Sequence, residues 1–583
     1  MAGRAWTRNP RRWQVAPLYG GADDLARRLR TAPLVAQVLH NRGLDDSDEA
    51  RAFLQPKLTD LHDPLELPGC RAAARRIARA VQQKEPIAVY GDYDVDGMTA
   101  IAILHACLKL VGCPVKAYVP HRLEEGYGVN AEALRSLIAD GARLIITVDC
   151  GIGAADVFAE VGGGADIIVT DHHAPSKRLP DASAVVHPLL EEGGRAYPNP
   201  NLCGAGVAFK LAWQVARELV GETRVDETMR EFLLEATCLA ALGTIADVVP
   251  LTGENRVLAT FGLRGLPAVK HVGLRALLES AKLAESSLDA YHIGFVLAPR
   301  LNAAGRMGHA AQAVELLTTS DAARAKEIAA WLAARNAERQ KVERAIAAEA
   351  CDMVVEAGLD GDGSRAIVLS NENWHGGVIG IVASRLVDQF SRPAILIARN
   401  GDGLGQGSGR SIPGFDMAAA LAACDEHLLS HGGHAMAGGL KIQPENISAF
   451  SEAFGVYASE NITPEQLIPA LRIDAETTLP ALGYNVVDLL GRMAPFGAGN
   501  PRPVIALRGC KLACPPKRMG RNGQTVSLLL SQNGSAMRAV GFGMGDLADH
   551  LPGQETLDIA AEPMLNTFNG RTNVELRLRD VVW

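Results

Sequence analysis

The stretch Ile87-Ala88-Val89-Tyr90-Gly91-Asp92-Tyr93-Asp94-Val95-Asp96-Gly97 decides how this chain is read. A short apolar run ends in a glycine and three alternating aspartates, and an apolar, helix-like stretch follows over residues 99–110. Alternating aspartates before a glycine also occur in EF-hand calcium loops. Those loops need a preceding helix and a glutamate at their twelfth position, which here is Ile103. The calcium alternative fails on both counts.

Further strands of the same kind follow: Val115-Lys116-Ala117-Tyr118-Val119, Leu144-Ile145-Ile146-Thr147-Val148 and Asp166-Ile167-Ile168-Val169-Thr170. Most are nearly continuous in apolar, often β-branched residues, as strands covered on both faces of a parallel sheet are. Their alternation with amphipathic segments predicts a doubly wound α/β sheet, whose ligands sit beyond the carboxyl ends of the strands. Acidic groups stand at those ends. Asp149 follows the third strand, Asp171-His172-His173 the fourth, and Asp247 lies in Gly243-Thr244-Ile245-Ala246-Asp247 between two apolar segments. Carboxylates gathered on one sheet edge repel one another unless cations neutralise them, and a pair of divalent ions shared by carboxylates and a histidine answers that need.

The remaining chain organises around this unit. At roughly 100–200 residues per domain, 583 residues allow about three to five domains. A helical region over 205–320 leads into a Gly- and Pro-free helical pattern, 320–356, that reads as a connector. A second α/β unit begins near Arg365 and includes a Gly-rich loop over 401–414. From about 469 onwards the pattern becomes one of antiparallel strands, with a hairpin turn at Asn569-Gly570. The expected division is an N-terminal segment 1–65, a catalytic domain 66–319, a connecting helix 320–358, a smaller α/β domain 359–465 and a β-barrel 466–583.

Composition removes several classes. With 48% hydrophobic residues the chain is not disordered. Its longest apolar runs, such as 417–424, fall well short of the roughly 18 residues of a membrane span. The arginine-bearing start lacks an apolar signal region, and ten cysteines without dense regular spacing suggest reduced thiols, hence a cytoplasmic location. A net charge of −8 argues against wholesale coating of nucleic acid but permits a local basic groove. Cys510 and Cys514 lack a second matched pair, so no zinc site is expected.

Asp92-Tyr93-Asp94-Val95-Asp96-Gly97, Asp149, Asp171-His172-His173 and Gly243-Thr244-Ile245-Ala246-Asp247 together resemble the four motifs of the DHH phosphoesterase superfamily. Later segments narrow the resemblance to the RecJ family of bacterial single-strand-specific exonucleases. They are Pro299-Arg300-Leu301-Asn302-Ala303-Ala304-Gly305-Arg306-Met307, Trp374-His375-Gly376-Gly377, Gly432-Gly433-His434 and Pro495-Phe496-Gly497-Ala498-Gly499-Asn500-Pro501. The motifs stand in family order over nearly the whole chain.

The resemblance implies a set of roles. Asp94, Asp96, Asp149, His172 and Asp247 would be metal ligands, with Asp149 bridging two ions, Mn²⁺ or Mg²⁺. Asp92 and His173 would act beside them as catalytic or substrate-facing groups. Arg122, Ser408 and Arg410 would hold a terminal 5′ phosphate. Arg300 and Arg306 would line the strand's path, and Trp374, His375 and His434 would be further substrate contacts. Some relatives carry a histidine ligand where this chain has Tyr90, and His187 stands where many have asparagine. The final β domain resembles an OB-fold, with Lys517, Arg518, Arg521, Arg571 and Phe568 as candidate contacts to a single strand.

The implied activity is metal-dependent, 5′-to-3′ hydrolysis of single-stranded DNA to 5′-mononucleotides in repair and recombination. The expected protein is a monomer, without membrane attachment, working with a single-strand-binding protein or a helicase. The alternatives are a DHH phosphoesterase of oligoribonucleotides, cyclic dinucleotides or pyrophosphate, and a non-catalytic replication scaffold.

Overall fold

The computed structural model describes residues 11–121, 128–221, 225–306, 310–361, 363–399 and 403–583. The chain folds as two compact units, one of Gly20–Asn336 with Asp488–Arg502, the other of Met1–Tyr19, Ala337–Val487 and Pro503–Trp583.

The first unit is built on a five-stranded, all-parallel sheet. Its strands run Val115–Tyr118, Ile87–Gly91, Leu144–Val148, Asp166–Thr170 and Ala184–Val186 in spatial order. Alternation along the strands separates two cores. Ile87, Val89, Leu144, Ile146 and Ile168 face the helices Val95–Leu110 and Gly204–Val220. Ala88, Tyr90, Ile145, Ile167 and Val169 face Leu134, Leu137 and Phe158 on the other side. Both faces are covered, as the apolar runs predicted. Chain order reverses between Ile87–Gly91 and Leu144–Val148, so the crevice outside their carboxyl ends is the topological switch point where such sheets bind ligands. The expected helical region is present as Gly204–Val220, Glu227–Ala246, Gly253–Gly265, Val272–Ser280, Ala298–Arg306 and Ala310–Thr318, and the long helix spans Ala322–Glu356.

In the second unit, Ile367–Asn371 and Ala394–Arg399 pair in parallel, and Gly405–Arg410, Ala437–Ile442 and Ser430–His434 extend the sheet antiparallel. The Gly-rich stretch 401–414 expected as a loop therefore contains a strand, Gly405–Arg410. Its glycines are needed for packing: a Cβ on Gly407 would stand 2.6 Å from Leu440 Cγ, and one on Gly409 2.9 Å from Met417 Sδ.

The C-terminal sheet closes on itself. Ile505–Leu512, Leu557–Phe568, Arg571–Val582, Ser535–Phe542 and Thr525–Gln532 follow one another, and the last pairs back to the first through Leu512↔Leu530. The ring of five strands is a small barrel. Asn569 and Gly570 turn the long hairpin with φ of 50° and 74°, as a two-residue primed turn requires. Two pairings depart from the antiparallel expectation: Ser535–Phe542 runs parallel to Arg571–Val582, and Ala475–Thr477 runs parallel to Ile505–Leu512. Arg12–Val15 adds beside Ala470–Ile473. No described helix is long and apolar enough to cross a membrane.

Candidate metal centre

Each acidic group reaches the switch point for a local reason. Asp94 caps the helix Val95–Leu110, its Oδ1 accepting from the amides of Asp96 and Gly97 at 2.9 and 3.1 Å. Gly97 is required there, since a Cβ would stand 2.5 Å from the Asp92 carbonyl oxygen. Asp96 is 1% exposed and is held by a second helix N-terminus: the amides of Gly204 and Ala205 donate to its two oxygens at 2.6 and 2.9 Å. Asp149 ends its strand at φ 59°, a left-handed conformation uncommon outside glycine, and its side chain is 2% exposed. Asp247 is the C-cap of Glu227–Ala246.

His172 points into the middle of this group. Its Nε2 lies 3.0 Å from Asp149 Oδ1, 3.7 Å from Asp96 Oδ2 and 3.8 Å from Asp247 Oδ2. Donor atoms within 4.8 Å of one another form three overlapping sets: Asp92, Asp94 and Asp149; Asp96, His172 and Asp247; Asp149, His172 and His173. Asp149 belongs to two of them, as a bridging ligand would.

Crowding shows in the protonation behaviour. Burial, then Asp96, raises the Asp94 carboxyl above the usual carboxylate range. Burial, then Asp96, Asp94 and Asp92, raises Asp149 far above it. Asp247 is pushed up to about 8 by burial, then by Asp96 and Asp94. Burial also lowers the His172 pKa, which favours the neutral imidazole that a metal needs. Such a cluster must hold protons or cations. Asp149 Oδ1 is buried and accepts no hydrogen bond among the described residues, although His172 Nε2 stands 3.0 Å away. A buried carboxylate oxygen left for another partner, among further carboxylates and one imidazole, fits divalent ions of the Mn²⁺ or Mg²⁺ kind.

Asp171 was not singled out as a site residue from sequence, yet it organises the loop. Its carboxylate accepts from the amides of His172, His173 and Ile152 at 2.7, 3.1 and 3.0 Å, and from His173 Nδ1 at 2.7 Å. Burial opposes its ionisation, but the His173 contact and these amides hold it down at about 2. In return that hydrogen bond raises the His173 imidazole to about 9. Beneath the loop, the fully buried His187 accepts from the Leu189 amide at Nδ1, which leaves Nε2–H to donate to the His173 carbonyl at 2.8 Å. Tyr90 faces away from the centre: its hydroxyl donates to Gly128 O at 3.0 Å, accepts from Asn130 N at 3.2 Å, and its ring stacks on Tyr118.

The expected substrate residues divide. Arg122 lies outside the described residues, and so does the side chain of Arg306 at the end of Ala298–Arg306. Arg300 is on that helix, half-buried; its NH1 donates to Val296 O, and its buried Nε has no partner among the described residues. The same helix supports the acidic loop, because Asn302 Oδ1 accepts from Val95 N at 3.1 Å. Just before it, Tyr291 and Phe295 stack at 4.9 Å with 57% and 69% of their surfaces exposed, a pair missed from sequence.

In the second unit, Ser408 and Arg410 share one face of Gly405–Arg410, and Arg410 NH1 donates to Ser408 Oγ at 3.2 Å. They stand against the helix Gly376–Phe390, where a Cβ on Gly380 would lie 2.8 Å from Ser408 Oγ. His375 caps that helix, its Nδ1 accepting from Gly377 N. Trp374 is 4% exposed, packs in the core and donates its indole N–H to Glu349. His434 is exposed on the edge strand Ser430–His434. In the barrel, Phe568 is 73% exposed, whereas Arg518 pairs with Asp546 and Asp549.

Comparisons with known proteins agree with this geometry. Residues 86–241 match the DHH family, N-terminal domain; 363–460 match the DHHA1 domain; 473–580 match the RecJ OB domain. The chain is 38% identical over 574 residues to the single-stranded-DNA-specific exonuclease RecJ of Bacillus subtilis (strain 168), covering 98% of this chain and 70% of that one. It is 32% identical to the protein of the same name from Escherichia coli (strain K12), over 94% of this chain and 96% of that one. Among solved structures, RecJ of Thermus thermophilus in complex with Mn²⁺ superimposes with a TM-score of 0.82 at 32% identity, covering 98% of this chain and 79% of that chain. The Mg²⁺ complex gives 0.76. Near-full-length identity, the three domain matches in order and the shared fold show that this chain belongs to the RecJ family of the DHH superfamily.

Proposed function

We propose that the chain is a divalent-metal-dependent exonuclease that hydrolyses single-stranded DNA from its 5′ end to 5′-mononucleotides. The observation that carries this is the convergence of Asp92, Asp94, Asp96, Asp149, Asp247 and His172 at the switch point of the sheet, with an oxygen of the buried Asp149 left for a further partner. Asp94, Asp96, Asp149, His172 and Asp247 hold the metals in this reading. When bound, a pair of Mn²⁺ or Mg²⁺ ions supplies Lewis acidity and makes water a competent nucleophile near neutral pH. The protein's part is to fix the ligands from two helix N-termini and to keep His172 neutral. His173, cationic through Asp171, would meet a phosphate oxygen in this reading.

Polarity rests on Ser408 and Arg410. A guanidinium whose pKa is lowered by burial, beside a hydroxyl and the start of a 15-residue helix, suits a terminal phosphate. Preference for single strands rests on the exposed Tyr291–Phe295 stack, on Arg300 and on the barrel with Phe568, which offer bases a platform and phosphates a cation. The relatives named single-stranded-DNA-specific exonuclease support the same substrate. Ten free cysteines suit a reducing cytoplasm, and the reading carries with it a monomer acting in repair and recombination beside a single-strand-binding protein or helicase.

The test is product analysis: a 5′-phosphorylated oligodeoxynucleotide with Mn²⁺ yields mononucleotides, and blunt duplex persists. Hydrolysis confined to dinucleotides would favour a small-substrate phosphoesterase. Strand binding without hydrolysis would favour a scaffold.

A further inference from the structure

The motif Pro495-Phe496-Gly497-Ala498-Gly499-Asn500-Pro501 precedes the barrel strands in the chain, yet it belongs to the compact unit that carries the acidic centre. It docks on the segment that follows Asp247. Leu251 N donates to Ala498 O at 2.8 Å. A Cβ on Gly499 would lie 2.9 Å from Pro250 Cβ, and one on Gly497 2.7 Å from Leu251 Cδ1; Gly499 also has φ +69°. Buried side chains shape the loop itself. Asn500, 0% exposed, donates Nδ2 to Met493 O and Pro495 O at 2.8 and 2.9 Å. Arg256, 1% exposed, donates to Ala494 O at 2.7 Å and to Phe53 O at 2.8 Å.

The same segment is held from within. Asn255, 1% exposed, donates Nδ2 to Pro250 O at 3.1 Å and to Asn201 O at 2.7 Å. Asn201 shortly precedes Gly204, whose amide holds Asp96. Asn255 thus ties the Asp247 segment to the loop that orients Asp96. Between them Val248 sits at φ 60°, which a β-branched residue adopts only when its surroundings impose it. Local preference does not place Asp247; packing does.

We propose that the 494–501 loop is a positioning clamp that keeps Asp247 within coordinating reach of Asp96 and His172, so that metal affinity depends on it although its hydrogen bonds to the segment after Asp247 run to Leu251 and Arg256. Gly497, Gly499 and Arg256 are positioning residues in this account, which rests on the assignment of Asp247 as a metal ligand. The test is a direct Mn²⁺ titration of the full-length chain, read from the electron paramagnetic resonance of free Mn²⁺, without DNA. Gly499→Ala weakens Mn²⁺ binding about ten- to a hundredfold, the range for residues that orient metal ligands, and leaves single-strand affinity in chelator unchanged. Gly509→Ala is the control: φ is +65° and its Cβ would meet no other side chain or backbone within 4 Å among the described residues, so it strains the backbone equally and keeps the wild-type isotherm. Should Gly499→Ala not fold, Gly497→Ala decides, because its Cβ meets only the Leu251 side chain among the described residues, at Cδ1 and Cγ. A folded clamp variant with the wild-type isotherm, while Asp247→Asn loses binding, overturns the clamp. A wild-type isotherm for Asp247→Asn overturns the ligand assignment instead.

Discussion

Replacing Asp247 by asparagine should stabilise the metal-free protein and destabilise it relative to wild type once metal is present. The folded carboxyl has its pKa pushed to about 8 from an ordinary 3.8, through burial and the neighbouring Asp96 and Asp94. An acid whose pKa is higher folded than unfolded costs stability as pH rises between the two values. Below about pH 4 both states are protonated and nothing is lost; above about pH 8 the whole cost is present. At 1.36 kcal/mol per pH unit the cost is about 4 kcal/mol at pH 7. Asparagine carries no charge and removes that cost, offset by about 1–2 kcal/mol for an amide that inherits a site built for an ion. A net gain of about 2–3 kcal/mol corresponds to about 3–4 °C in Tm for a unit of roughly 330 residues, at about 2.1 cal/mol/K of unfolding entropy per residue. Thermal melts in chelator at pH 5 and pH 8, each repeated with Mn²⁺, provide the assay. The account expects the variant to melt higher than wild type in chelator, by more at pH 8 than at pH 5, and to gain less from Mn²⁺. A variant that melts no higher than wild type in chelator at pH 8, or by a margin independent of pH, refutes the electrostatic reasoning.

Three further outcomes follow from the same structure. Arg410→Gln should abolish the preference for 5′-phosphorylated over 5′-hydroxyl ends, raising KM for the phosphorylated strand by about tenfold or more, as loss of a charge-assisted contact of about 1.5–3 kcal/mol implies; steady-state kinetics on the two substrates measures it. Tyr291→Ala and Phe295→Ala should each weaken single-strand binding by about 1–3 kcal/mol per stacked base, with the Mn²⁺ isotherm intact, as read by fluorescence anisotropy. Asp171→Asn should return the His173 imidazole from about 9 towards its ordinary value, so that it loses its proton near pH 6–7, a shift visible in ring-proton NMR in chelator.

The acidic centre was legible because its residues obey a rule that needs no coordinates: aspartates following strands of one parallel sheet must converge, and Asp92, Asp94, Asp149 and His172 do so. What was not legible depends on partners distant in sequence. Asp171 looked like one more strand-end carboxylate, and only the fold shows its oxygens turned back onto the Ile152 amide and the His173 ring. Gly204, which holds Asp96, carries no side chain to read. Residues 405–410 have three glycines in six positions and read as a loop by local propensity, yet pairing on both sides makes them a strand. Arg12–Val15 is too short to assign without its partner at Ala470–Ile473. Tyr291 and Phe295, at helical i, i+4 spacing, were available to sequence reasoning as a stripe. Their exposure, which turns a core pattern into a platform, was not.

If the Asp149 cluster runs hydrolysis from the 5′ end, single-stranded DNA labelled at one end or the other and digested with Mn²⁺ by wild type and Asp149→Ala will show it. Wild type should release 5′ label at once as mononucleotide and shorten 3′-labelled strands gradually, and the variant should release nothing. Release of 3′ label first, or digestion by Asp149→Ala at the wild-type rate, would overturn that reading.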